Sequence, residues 1–484
     1  MVRRGHFGLV LRDPLVPLDD AAPDVRPPLG IEEGLEGGSH RFGLRVETPG
    51  RDEGLELFGE GGWYANRNLN RHAKSIPQGN DVGGVWASCL VAYHRSMAES
   101  IVELLRAAPL IDGHNDLLWA LRTAREEGEE EADVGRPAPR FHTDLPRLEA
   151  GGLRGQFWSV YVPSDLPIDQ AVIQTLEQVD AFFQLLRAHP ERLELARTAD
   201  DVERIAAEGK VASMIGVEGG HSIGGSLGVL RVLAELGARY LTLTHNDDTG
   251  WADSGTGLGT NGGLTTFGED VVRELNRLGV LVDLSHVSAD TMRQAIEVSS
   301  APVIFSHSNA RALCDVPRNV PDDVIELLGR TGGVMMATFV PWFLNAEGAQ
   351  ANAAEWKEIH RLKEAHADDP DAVRAAVDEL EKTLPTPPSS LSDVADHIDH
   401  IRDVAGIDHI GVGSDFDGLL GMPDGLEDVS QYPALFEELR DRGYTDEDLV
   451  KIAGQNVLRV MREAERVSLT TAAPDPPASI RPDD

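Results

Sequence analysis

The stretch LIDGHNDLLW, residues 110–119, decides how this chain is read. An apolar run ends in two ligand-type side chains, His114 and Asp116, spaced two apart. Along a strand, side chains at i and i+2 point to the same face. A buried strand over APLID therefore sends both groups from its end toward one point. A metal ion would account for the pair, and so would a turn. Taken alone, the pair leaves the two readings even.

From residue 109 onward one unit recurs: an apolar, β-branched run, polar residues at its C-terminal end, then a helical stretch. The runs are PLIDGHND, GQFWSVYVP, VASMIGVEGG, ARYLTLTHND, VLVDLSHVS, APVIFSHSN, GGVMMATFV and HIGVGSDFDG. Segments with helical character lie between most of them, such as DQAVIQTLEQVDAFFQLLRAH, GEDVVRELNRLG, SADTMRQAIEVS and SDVADHIDHIRDVAG. Eight strands alternating with helices predict an α/β fold, a parallel sheet closed into a (β/α)8 TIM barrel. A doubly wound open sheet is the alternative, but no GxGxxG follows a strand and no Walker motif is present. A charged helical insertion over about residues 344–390 is expected after strand seven.

Composition limits the function. The net charge of −37 argues against nucleic acid as a partner and against anionic membrane surfaces. No apolar run approaches the roughly 18–20 residues of a transmembrane helix. Two cysteines, Cys89 and Cys314, cannot form a disulfide framework, so a reducing cytoplasm is expected. The acidity is uneven: residues 1–96 hold 11 Lys+Arg against 13 Asp+Glu, leaving 33 against 68 for residues 97–484. The first segment is rich in Gly and Pro and shows no sustained period, so residues 1–96 read as a disordered extension or a start called too early. MAESIVELLRAA then opens a domain expected over 97–465, followed by a disordered tail over 466–484.

In such a barrel the C-terminal ends of the strands converge on one mouth, where the chemistry sits. There the chain places His114 and Asp116 (strand one), Glu218 (three), His245 (four), His286 (five), His307 (six) and Asp415 (eight). Imidazole and carboxylate are the ligands of a zinc-like divalent ion. A single His after a strand is more often structural, and GSDFDG could be an Asx turn; it lacks the further acids of a calcium loop. Seven such side chains on one rim are hard to assign to packing. His397 and His400, with Asp396 and Asp399, imitate a metal motif on a helix and read as a solvated outer face. His221 reads as structural. None of the six lysines ends a strand, so a bridge between two ions would fall to Glu218. His114 and Asp116 would then hold one zinc, His286 and His307 the other.

The run GVEGGHSIGGSLGVLRVLAELGARYLTLTHNDDTGWADS is similar to the signature region of the renal (membrane) dipeptidase family of zinc peptidases. The resemblance continues through LIDGHNDLLW, VDLSHVS, VIFSHSNARALCDVPRNVPDDV, GVGSDFDG and GLEDVSQYPALFEELRDRGYTDEDLVKIAGQNVLRV. It covers roughly residues 100–463 apart from the insertion. It implies a barrel of the metal-dependent hydrolase type, two zinc ions, and hydrolysis of small dipeptides, including those with a D residue at the C-terminal position. By matched motif, His114, Asp116, Glu218, His286 and His307 resemble the ligands. His245 resembles the group that contacts the scissile carbonyl, Arg318 the one that binds the substrate carboxylate, and Asp415 the acid/base. The implied nucleophile is a metal-bridging hydroxide. The extracellular members carry a signal peptide, disulfides and a lipid anchor; this chain matches none of these, which points to a cytoplasmic enzyme without a membrane partner. A homodimer is compatible with this reading, and the insertion would cover the site or a subunit interface. The alternatives are another binuclear amidohydrolase acting on lactam, lactone or N-acyl amino acid substrates, and a non-catalytic barrel.

Overall fold

The computed structural model describes residues 33–34, 41–46, 55–58, 100–128, 133–366 and 369–471. The chain divides into two units, Met1–Arg95 and Ser96–Asp484. In the first, the short strands Glu33–Gly34, Arg41–Val46 and Leu55–Phe58 pair antiparallel, where the sequence pattern predicts none. Six residues or fewer give too little alternation to stand out from a Gly-rich background.

The second unit carries the eight expected strands: β1 (Leu110–Asn115), β2 (Leu153–Tyr161), β3 (Val211–Glu218), β4 (Ala238–Thr242), β5 (Leu281–Asp283), β6 (Ile304–Phe305), β7 (Val334–Ala337) and β8 (Ile410–Val412). Every neighbouring pair is parallel. β2 joins both β1 and β3, and β8 joins β1, so the sheet closes into a barrel. β3 shows why the run VASMIGVE is strand: all eight residues are buried, as a parallel sheet covered on both faces requires. A further strand, Leu193–Leu195, pairs with Val211–Ser213 ahead of the point where β4 takes over at Ile215. At three residues it carries no readable period.

The predicted helices form between the strands. Ile101–Ala107 opens with a capping box, in which Ser100 Oγ accepts from Glu103 N and the Glu103 carboxylate accepts from Ser100 N. The last helix, Asn456–Thr470, runs beyond residue 465, and 472–484 lie outside the described residues. Phe157, Met214, Tyr240, Ile304 and Met336 come from five different strands and join one buried cluster, which only the barrel axis permits. Val457, Val460 and Met461 of the last helix belong to the same cluster.

The insertion forms two helices, α1 (Ala346–Ala365) and α2 (Pro370–Thr383), ahead of α3 (Leu391–Ala405). Lys363 Nζ lies 3.1 Å from Asp247 Oδ1, and an Arg374 nitrogen 2.9 Å from Asp165 Oδ2. These pairs pin the insertion to the loops that follow β4 and β2, at the mouth. Partly exposed, they orient the insertion more than they stabilise it.

On α3 the sequence reading is corrected. His397 is fully buried, not solvated. Its Nδ1 accepts from Ala310 N at 3.1 Å and its Nε2 faces Leu344 O at 2.9 Å. His400 is half-buried against Asp322, 2.9 Å away. Burial lowers the His397 pKa to about 4, so the ring stays neutral and tethers α3 to two loops.

Candidate metal centre

The end of β1 sets the geometry. Gly113 lets it approach β6, since a Cβ there would sit 2.4 Å from Ser306 O. His114 follows, fully buried, and Asp116 occupies the N-cap of the helix Leu117–Glu126. An aspartate at that position ordinarily caps backbone N–H groups. Here it makes no capping bond, and its Oδ1 is buried without a hydrogen-bond partner. Its Oδ2 lies 3.2 Å from His114 Nε2, which likewise lacks a hydrogen-bond partner. The i, i+2 spacing has brought both groups to one point.

Glu218, last residue of β3, faces two ways. Its Oε2 lies 3.4 Å from His114 Nε2. Its Oε1 lies 3.0 Å from His286 Nε2, 3.6 Å from His307 Nε2 and 3.8 Å from His245 Nε2. His286 and His307 point their Nε2 atoms at each other across 2.9 Å. Among the described residues, three groups could each hold an ion: His114, Asp116 and Glu218; Glu218, His245 and His286; and His114, His307 and Asp415. All seven rim residues of the sequence reading therefore meet. His245 and Asp415 take part in these groups beside the five expected ligands, each at 3.8 Å from its partner there.

A second layer orients these rings, and the sequence reading missed it. Tyr240 OH lies 2.8 Å from His114 Nδ1. If Nδ1 carries the proton, Nε2 presents its lone pair to the centre. Ser306 Oγ plays the same part for His307 Nδ1 at 2.8 Å, and itself donates to Asp283 Oδ2 at 2.6 Å. Ser159 Oγ donates to Glu218 Oε2 at 3.0 Å. The buried Asp112 accepts from Ser414 N, Ser414 Oγ and Tyr432 OH, fastening β1 to the loop after β8. Its pKa is nevertheless raised, because burial outweighs these bonds. The only local signal for the layer is an Asp shortly before a rim His, in LIDGH and LVDLSH.

Backbone strain concentrates here. Three non-glycine residues have positive φ among the described residues: His286 (69°), Asp415 (67°) and Asp417 (67°). Such backbone persists where the surroundings over-determine it, commonly at functional sites.

Electrostatics agree with a cation-binding centre. Burial favours the uncharged His286 and His307, and Arg318 nearby lowers both pKa values further. Burial also lowers that of His245. His114 goes the other way: burial is overcome by Tyr240, Glu218 and Asp116. Burial would raise Glu218, but the charge of His114 and the surrounding bonds hold it well below the carboxylate range. Asp415 is raised well above that range, chiefly by burial and, against the pull of His114, by Asp116 and Glu218. The neutral imidazoles of His245, His286 and His307 beside an ionised Glu218 are what a divalent ion needs, and such an ion would take the place of the proton on His114 Nε2. The donor set fits such ions.

Arg318 is no surface turn residue, as the motif alone would suggest. It is 3% exposed, donates to Ser308 Oγ and His307 O, and stacks 5.2 Å over the Phe343 ring. Burial lowers its pKa to about 10, and the Asp415 and Glu218 charges favour its cationic form. His221 is tied to Val162 O at 2.9 Å. A groove of about 820 Å³ between the helices Leu117–Glu126 and Ile168–Ala188 contains none of these residues.

Residues 98–475 match the family model for membrane dipeptidase, peptidase family M19. The chain belongs to that family. It is a metal-dependent dipeptidase by membership, and the rim described above supplies candidate metal-binding groups for such an enzyme. Solved structures agree over most of the M19 domain. The probable dipeptidase PvdM from Pseudomonas aeruginosa is 26% identical, with a TM-score of 0.61 over 72% of this chain and 99% of that one. The dipeptidase AC, a metallo peptidase of family M19, is 28% identical, with a TM-score of 0.60 over 74% and 98%. A metallo peptidase from Rhodobacter sphaeroides, liganded with a phosphinate mimic of the dipeptide L-Ala-D-Ala, is 27% identical, with a TM-score of 0.60 over 74% and 99%. No described helix is long and apolar enough to cross a membrane.

Proposed function

We propose that this M19 enzyme hydrolyses dipeptides, tolerating a D residue at the C-terminal position, at a centre of two zinc ions bridged by Glu218. The observation that carries the reading is the division of the Glu218 carboxylate, Oε2 toward His114 and Oε1 toward His286 and His307. His114 and Asp116 would hold one ion, His286 and His307 the other. Ions held there would supply Lewis acidity toward the scissile carbonyl and make the attacking water more acidic.

The remaining work falls to the chain's own groups. Asp415 takes the proton of the attacking water and hands it to the leaving amine; its raised pKa suits a group that must carry a proton between steps. His245, at the edge of the cluster, contacts the carbonyl oxygen as negative charge develops there. Arg318 pairs with the terminal carboxylate of the substrate, which accounts for a buried guanidinium whose hydrogen bonds among the described residues go to neutral oxygens. A cytoplasmic location is supported by the low cysteine content and by the buried free thiol of Cys314.

The test combines metal analysis of protein purified without chelator with a panel of L,L- and L,D-dipeptides, tripeptides and N-acyl amino acids. Two zinc equivalents and turnover confined to dipeptides, L,D members included, are expected. One ion at full activity would sink the bridge. Preference for N-acyl amino acids would move the enzyme to a different amidohydrolase reaction.

A further inference from the structure

Asp415 must present its carboxylate to the ligand cluster from a backbone conformation that aspartate rarely adopts, φ 67°. Something has to hold it there. On one side the reason is plain: Asp415 N donates to His114 O at 3.1 Å, and Asp116 N donates to Phe416 O at 2.9 Å. These bonds tie the start of the turn to β1. On the other side the turn continues through Asp417, also at φ 67°, to Gly418. Gly418 lies so close to both carboxylates that a Cβ would sit 2.6 Å from Asp116 Oδ2 and 2.7 Å from Asp415 Oδ1. In a turn this tight, the hold on the far end decides how the Asp415 carboxylate is presented.

The anchor comes from a segment that contributes no rim residue. His142, in FHTDLPR before β2, makes two reciprocal bonds with Asp417. Its backbone N–H donates to Asp417 Oδ1 at 2.7 Å, and its Nδ1 accepts from Asp417 N at 3.1 Å. The Leu420 carbonyl is a further hydrogen-bond partner of the same ring. The imidazole thus spans residues 417–420, and its centroid lies 5.9 Å from that of the Phe416 ring, with the two rings tilted by 59°. The segment carrying His142 is fixed in turn: Asn115 Nδ2 donates to Thr143 Oγ1 at 2.8 Å, and Val429 N donates to His142 O at 3.2 Å. For Nδ1 to accept, the ring must be neutral, and burial lowers its pKa in that direction.

We propose that His142 is the positioning residue for Asp415: by clamping Asp417 through Nδ1 it holds the turn 415–418 closed and keeps the Asp415 carboxylate aimed at the metal-ligand cluster. This rests on Asp415 being the proton carrier of the proposed reaction. His142 touches neither ligand nor substrate and acts only through the turn.

The test compares wild type, His142→Ala and His142→Asn as zinc-loaded full chains, by kcat, KM, zinc content and Tm, with a crystal structure of His142→Ala. An asparagine Oδ1 sits one bond from Cγ, as Nδ1 does, and can accept from Asp417 N. Expected are a kcat lowered about 10- to 100-fold in His142→Ala, a nearly constant KM, unchanged zinc, and recovery of most of the loss in His142→Asn. The His142→Ala crystal should show the Asp415 carboxylate displaced from His114 Nε2. Wild-type kcat in His142→Ala overturns the proposal, as does equal loss in both variants tracking a lower Tm. An unmoved Asp415 in the crystal overturns it whatever the substrate is. A wild type inactive on every dipeptide refutes the dipeptidase reading instead, and the crystal comparison still decides the role of His142.

Discussion

The rim of the barrel and helix α3 both bury histidines, and they differ in what the ring nitrogens have left to do. His397 on α3 spends both on the backbone, one on Ala310 N and one on Leu344 O. At the rim, His114 spends Nδ1 on Tyr240 and His307 spends Nδ1 on Ser306, while their Nε2 atoms converge with that of His286 on one carboxylate. Burial alone therefore does not mark a metal centre. Unspent, convergent lone pairs do, because a buried polar atom without a partner is costly unless something else binds it.

The comparison breaks most visibly at Glu218. Glu218→Gln should leave the fold intact, since Ser159 can still donate to the amide oxygen, yet lose at least one zinc equivalent and all measurable turnover. Metal analysis with far-UV circular dichroism checks this; full zinc content in a folded variant would remove the bridge. The next largest effect is at Asp415. Asp415→Asn should keep its zinc and lower kcat by about 10²- to 10⁴-fold with little change in KM, as loss of a proton carrier requires. If zinc is lost instead, Asp415 is a ligand of the group it forms with His114 and His307.

Arg318→Met sharpens the substrate side. A charge-assisted bond worth roughly 1.5–3 kcal/mol corresponds to about a 10- to 150-fold drop in kcat/KM on a free-acid dipeptide. An amidated dipeptide should be a poor substrate for wild type and nearly indifferent to the change. Equal losses on both substrates would make Arg318 structural.

On α3 the expected effect is on stability and not on metal. His397→Gln cannot satisfy both backbone partners as the ring does, which should cost about 1–3 kcal/mol at pH 7 with zinc content unchanged. Its pH signature has a definite sign. The folded ring has a pKa of about 4, below its ordinary value, so acid protonates the unfolded chain first. The stabilisation is complete above about pH 6.5 and is lost as pH falls toward about 4. Part of the acid sensitivity of the wild-type Tm should therefore be missing in the variant. A parallel pH dependence in both proteins would show that His397 is not held neutral.

The smallest effect is expected from removing residues 1–96. A chain starting at Met97 should match the full chain in Tm and kcat/KM, given the change in charge density there and the division at Arg95 and Ser96. A lost cooperative melt would make the first segment part of the fold.

The sequence by itself determined the order of the eight barrel strands with the helices between them, and it named the residues of the rim. Both are local properties: an apolar run of fixed period, closed by a ligand-type side chain, needs no distant partner to be seen. His114, Glu218, His286 and Asp415 could be named because each ends such a run. What lay out of reach has its partner far along the chain. Tyr240 reaches His114 across 126 residues, Tyr432 reaches Asp112 across 320, and His142 reaches Asp417 across 275. His397 and His307 carry the same side chain, and only the surrounding packing assigns one to backbone carpentry and the other to the centre. Whether a ring nitrogen is spent depends on which donors and acceptors the closed barrel brings within 3 Å or so of it, and that exists only once the chain has folded.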